Sequence, residues 1–177
     1  MTNRSRAEAA LRRSLERMAG RRAGMPAPHV RVSTPDWEFG FGDVDRPFHA
    51  ASSGKLFTTT LIGMFAEEGR LALDAPIGRL LPASGIAGLP AVAGVDVGRD
   101  VTVEQLLAHT SGIPDFFDPP RGHTTEASVR ALAGSRDRVW TPGELLDQAR
   151  SLPAVGRPGE RFHYSDTGYV LLGRIAE

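Results

Sequence analysis

The chain has 177 residues, 41% of them hydrophobic and 24% charged, the balance of a soluble globular domain rather than a disordered segment. Lys plus Arg equals Asp plus Glu at 21 each, so net charge points to neither nucleic acid nor an anionic membrane. Cysteine is absent, which excludes disulfides and a thiol nucleophile, and no apolar run of roughly 18 residues offers a membrane span.

Residues 1–24 are rich in Arg and Ala, and Leu11, Leu15 and Met18 recur at helical spacing among Arg12, Arg13, Glu16 and Arg17. The pattern predicts an amphipathic helical extension packed on the outside of the domain; binding to a membrane surface is the weaker reading, because the apolar face is short. No apolar core of a secretory signal precedes it, so the cytoplasm is expected, with a periplasmic or extracellular location if a leader is missing. His29-Val30-Arg31-Val32 and Trp37-Glu38-Phe39-Gly40-Phe41 alternate on either side of Thr34-Pro35-Asp36, which predicts a hairpin.

A helix is expected to open at Ala51-Ser52-Ser53-Gly54-Lys55 and to end near Glu68, with Gly69 just past it. Phe57, Leu61, Met64 and Phe65 form its expected inward stripe. Ser52 and Lys55 are three positions apart. On a helix that places their Cβ atoms roughly 5–6 Å apart, within reach of a lysine amine and a serine hydroxyl. Serine is a poor nucleophile until a base takes its proton, and lysine is a base only when neutral. The plainer reading makes Ser52 or Ser53 a helix cap and leaves Lys55 solvated. A phosphate loop fits less well, since His49 stands where a glycine is needed and Leu56 where a magnesium-binding Ser or Thr is needed.

Leu71 to Ile77 reads as a turn, with Asp74 a turn or cap residue. Pro82, Gly85, Gly88, Pro90, Gly94 and Gly98 predict a surface loop over 82–100. Thr102-Val103-Glu104-Gln105 is a capping box, and the helix it opens is expected to stop at Ser111-Gly112-Ile113-Pro114. His109 reads as a buried histidine making a structural hydrogen bond. The five histidines show no pair at metal-ligand spacing, so no metal is expected. Phe116 and Phe117 fit the apolar wall of a substrate mouth, or an anchor of their loop to the core. Thr141-Pro142-Gly143-Glu144 is a second capping box. A tight turn at 156–160 leads to Phe162-His163-Tyr164-Ser165-Asp166; alone, a tyrosine there means half-buried packing. A last helix should follow, with Ser165 or Asp166 as cap and Leu171, Leu172 and Ile175 inward.

Three of these runs, in this order, resemble the motifs of serine β-lactamase-related hydrolases, a family that includes class C β-lactamases, D-alanyl-D-alanine carboxypeptidases and related esterases. Phe48 to Thr58 resembles the first motif. Leu106-Leu107-Ala108-His109-Thr110-Ser111-Gly112 resembles the second segment. Pro158 to Tyr169, with Tyr164-Ser165-Asp166 at its centre, resembles the Tyr-x-Asn segment. The resemblance covers about residues 30–177 and implies an α+β, β-lactamase/transpeptidase-like fold. In that fold a helical lobe packs on an α/β sheet lobe, and here it looks truncated before the C-terminal strands. Residues 1–24 would be an extension, and 25–177 the N-terminal portion of the domain.

The resemblance implies Ser52 as nucleophile, Lys55 as base and Tyr164 as the group passing a proton to the leaving group, with Asp166, Phe116 and Phe117 on the substrate side. The implied substrate is a small ester, a D-amino-acid peptide or a β-lactam, cleaved through an acyl-enzyme with no metal or organic cofactor. An esterase or peptidase-like hydrolase is preferred to a β-lactamase. Two departures stand out. Asp166 occupies the position where Asn is usual; its charge would favour the ammonium form of Lys55, against the role of base. The third motif, Lys-Thr-Gly or His-x-Gly, has no counterpart among the 177 residues: Lys-Thr-Gly does not occur. The chain therefore also reads as a truncated, catalytically inactive remnant or binding domain of the same penicillin-binding-protein-like fold, with a missing C-terminal half or a homo-oligomer as the partner calls.

Overall fold

The computed structural model describes residues 3–21, 27–132, 134 and 138–177, and the chain divides into two compact units, 1–50 and 51–177. The expected boundary at 24–25 lies outside the described residues.

In the first unit, helix α1 spans Asn3–Arg21 and the predicted hairpin is present as β1 (Val30–Thr34) and β2 (Trp37–Phe41). The strands are antiparallel, with Val30 opposite Phe41 and Val32 opposite Phe39. Helix α1 packs on β2: the Arg12 guanidinium lies 5.4 Å from the Phe39 ring centroid and donates to the Gly40 carbonyl, and Trp37 donates to Glu8. Leu15 and Phe39 are buried, whereas Met18, expected on the same apolar stripe, is exposed.

The second unit is helical. A 3₁₀ turn at Ala51–Ser53 runs into α2 (Gly54–Glu67); Ser52 thus precedes the α-helix rather than standing in its first turn. Gly69 ends α2 as expected: it is left-handed (φ +70°), its amide donates to Ala66 and that of Arg70 to Phe65. These two bonds are those of a Schellman stop. Short helices follow at α3 (Ala83–Ile86), α4 (Val97–Asp100), α5 (Val103–Leu107) and α6 (Val129–Leu132), then α7 (Pro142–Arg150) and α8 (Asp166–Ala176). The stretch expected as a surface loop, 82–100, instead carries α3 and α4 and buries Leu89 and Val97. Arg150 fastens it by donating to the Ala87 and Gly85 carbonyls.

Both capping boxes are closed, Thr102 with Gln105 and Thr141 with Glu144. Helix α5 stops earlier than expected, because His109 takes the left-handed position after it. Gly112, also left-handed at φ +77°, is required by a close approach: a Cβ there would lie 2.2 Å from the Gly156 carbonyl oxygen.

Helix α8 organises the unit, packing against α2, α5 and α7. Leu171 and Leu172 join Ile62, Leu106 and Ile113 in the core. The inward stripe of α2 agrees with the expected one only at Phe65. Phe57, Leu61 and Met64 are exposed, and Ile62 is fully buried. The turn of about 100° per residue puts Lys55, Ile62 and Phe65 on one side and Phe57, Leu61 and Met64 on another; α8 covers the first. Among the described residues, no helix is long and apolar enough to cross a membrane.

Candidate active site

Four of the sequence-selected residues, from two segments more than a hundred positions apart, meet where α2 and α8 begin. Ser52 lies exposed on the 3₁₀ turn, and the Tyr164 hydroxyl donates to its Oγ at 2.9 Å. Lys55, one helical turn on, is mostly buried (16% of its side chain exposed) and pairs with Asp166, exposed to 22%. Its Nζ lies 4.8 Å from the centroid of the Tyr164 ring and 5.4 Å from that of Tyr169. Helical spacing alone would bring Lys55 to Ser52 directly. Here the hydrogen bond on Ser52 Oγ comes from Tyr164, and Lys55 turns to Asp166 and the two aromatic faces.

The electrostatic consequence follows from those partners. Burial pulls the Lys55 ammonium toward deprotonation, but hydrogen bonds and charge from Asp166 and Tyr164 outweigh it and raise its pKa above the ordinary 10.5. Lys55 at rest is an ammonium.

Asp115, which sequence reasoning passed over, fixes Asp166 from behind. It is 2% exposed. One carboxylate oxygen accepts from the amides of Phe117 and Asp166, the other from that of Asp118. Burial pushes its pKa up, against the pull of these amides. A carboxylate just after Pro114, ahead of two phenylalanines, was the available signal. Thr167 adds a second tie, donating to the Pro114 carbonyl at 2.7 Å and accepting from Phe116. Ser165 holds the N-cap position of α8, but its hydroxyl donates to Pro114 instead of capping.

Two non-glycine residues among those described have left-handed backbone, Ala51 (φ 47°) and His109 (φ 57°). Each such residue costs about 1–2 kcal/mol. Ala51 directly precedes Ser52, and the His109 ring stacks on Tyr164 at 4.3 Å. Strain kept at two places touching the same four residues is the pattern of a functional site.

A cleft of about 320 Å³ is lined by Ala51, the residue before Ser52, and by Lys55, Phe116, Phe117, Asp166, Tyr169 and Val170 among others. Phe116 and Phe117 line this cleft and pack on the core. Among the described residues no group of three His, Cys, Asp or Glu stands together as metal ligands.

A serine, a lysine and a tyrosine are thus joined next to a small cleft. The chain belongs to the Beta-lactamase family, whose sequence model matches residues 17–177. It is 32% identical over 133 residues to penicillin-binding protein 4 of Amycolatopsis lactamdurans, a match covering 75% of this chain and 30% of that protein. Among solved structures it is similar to a D-stereospecific amidohydrolase from Streptomyces sp., with TM-score 0.63 and 33% identity over 80% of this chain and 40% of that one. It is also similar to the D-amino acid amidase of Ochrobactrum anthropi SV3, with TM-score 0.53 and 28% identity over 79% of this chain and 37% of that one. The chain thus spans between 30% and 40% of the length of these relatives. The fold is of the β-lactamase/transpeptidase type, present here as its helical portion and a two-stranded hairpin.

Proposed function

We propose that this chain carries the nucleophile and proton-transfer groups of a serine hydrolase working through an acyl-enzyme. Ser52 attacks the substrate carbonyl, and its proton passes to the Lys55–Tyr164 pair. That pair acts as a base when it holds one proton fewer than at rest, either as amine with phenol or as ammonium with phenolate. Asp166 favours the second form. Tyr164, at 2.9 Å from Ser52 Oγ, then returns the proton to the leaving group, and water releases the acyl group. The Ser52 amide is one donor for the oxyanion. The single observation that carries this reading is the Tyr164–Ser52 hydrogen bond with the Lys55 ammonium over the same ring.

The cleft suits a small substrate with an apolar side chain against Phe117, Tyr169 and Val170. The names of the similar amidohydrolase and amidase make amides and esters of D-amino acids the first substrates to try, with penicillins second. The test is turnover of a D-phenylalanine p-nitroanilide or ester by the wild-type chain and by Ser52→Ala. Turnover lost in S52A supports the reading; equal turnover in both rejects it. A second reading, a binding domain without turnover, is favoured by the raised Lys55 pKa. It predicts a penicillin-induced rise in melting temperature with no covalent adduct.

A further inference from the structure

His109 is held in a way that a packing residue does not require. It occupies the left-handed position after α5, where the amide of Thr110 reaches back to Gln105 and its own to Leu106. Glycine is the usual occupant of that position in such a stop. The strained histidine grips the segment that carries Tyr164 at three points. Its carbonyl accepts from the His163 amide at 2.8 Å. Its Nδ1 accepts from the Ser165 amide at 3.1 Å. Between these two bonds, its ring stacks on that of Tyr164 at 4.3 Å and 26°. The rings of Tyr169 and Phe162 complete its surroundings, at 5.1 Å and 5.8 Å.

The Ser165 amide can only donate, so Nδ1 must be the bare nitrogen of a neutral imidazole. A proton on Nδ1 would set two donors against each other and add a cation near Lys55. We propose that His109 is a pH-sensitive positioning residue: as a neutral imidazole it holds Tyr164 against Ser52, and protonation at Nδ1 releases that hold. Its effect on reaction rate rests on the acyl-transfer reading above; the hold itself does not.

The charged and titratable groups facing His109 are Lys55 from α2, His163 and Tyr164 from the segment leading into α8, and Asp166 and Tyr169 from α8, with Asp115 behind Asp166. Burial first, then the Lys55 charge, lower the His109 pKa from its ordinary 6.5, against the opposing pull of Asp166. The release belongs below that pH.

Two readouts on the full chain test this. The first is the rate at which a neutral fluorophosphonate labels Ser52 across acid pH. The second is the NMR titration of the His109 ring, the Ser165 amide and the Tyr164 ring. His109→Asn tolerates the left-handed backbone and keeps an acceptor that does not titrate. His109→Phe keeps the stack and loses the acceptor. In the wild type, labelling is expected to fall about tenfold or more through a one-proton step, at the midpoint where all three NMR signals move. Both variants should lose that step, with Tyr164 ring signals confirming that each is folded. A step that persists in His109→Asn, or a Ser165 amide and Tyr164 ring that do not follow the His109 titration, overturns the proposal. If Ser52 labels at no pH while the three NMR signals titrate together, the acyl-transfer reading fails and the His109 hold stands.

Discussion

Asp166 carries the charge that pairs with Lys55, and Asp166→Asn isolates its effect. The carboxylate lies beside the Lys55 ammonium, with side-chain exposures of 22% and 16%, so solvent screens the pair only in part. A hydrogen bond to a charged group contributes about 1.5–3 kcal/mol. Removing the negative charge makes loss of a proton from the Lys55–Tyr164 pair easier, whichever member gives it up. At neutral pH that corresponds to about a ten- to hundredfold larger fraction of pair in its basic form. Asparagine is nearly isosteric, keeps the amide that donates to Asp115 and adds a side-chain donor. The assay is the second-order rate of fluorophosphonate labelling between pH 7 and 9, followed by intact mass with melting temperature as the check on folding. An Asp166→Asn protein that is folded yet labels at the wild-type rate or more slowly would refute the charge argument.

The remaining expectations use the same chain. Tyr164→Phe removes the hydroxyl that contacts Ser52 and should lower the labelling rate about a hundredfold or more while leaving the melting temperature nearly unchanged. Asp115→Ala orphans three amides, those of Phe117, Asp118 and Asp166; chemical denaturation should report a loss of about 2–4 kcal/mol. The Lys55 pair gives a pH signature. Because its folded pKa is raised above 10.5, its contribution to stability is fully present below that value and is lost as pH rises through the folded value. Wild type should therefore lose stability more steeply than Asp166→Asn in that alkaline window, as read by denaturant midpoint against pH.

What the sequence disclosed was what local chemistry writes. Thr102 with Gln105, Thr141 with Glu144, and Gly69 after Glu68 each specify an end of a helix within four residues, and each is found there. The hairpin over Val30–Phe41 was equally plain from its alternation. The buried side of α2 was not. Phe57, Leu61 and Met64 make as good an apolar stripe with Phe65 as Ile62 does, and only the arrival of α8 decides between them. Residues 82–100 were misread because Gly and Pro mark breaks but say little about one-turn helices between them. Within the site, Ser52, Lys55 and Tyr164 were legible through ordered motifs. The partner of Lys55 lies 111 positions away, and the amides that Asp115 holds belong to two segments. No local pattern encodes either.

The measurement that tests the central claim most directly is intact mass after incubation with a fluorophosphonate and, separately, with a penicillin, using Ser52→Ala as control. One fluorophosphonate adduct is expected on the wild-type chain and none on Ser52→Ala; a penicillin adduct under the same control would add penicillin recognition. A folded wild-type chain that takes up no fluorophosphonate, or an adduct that survives in Ser52→Ala, would contradict that claim.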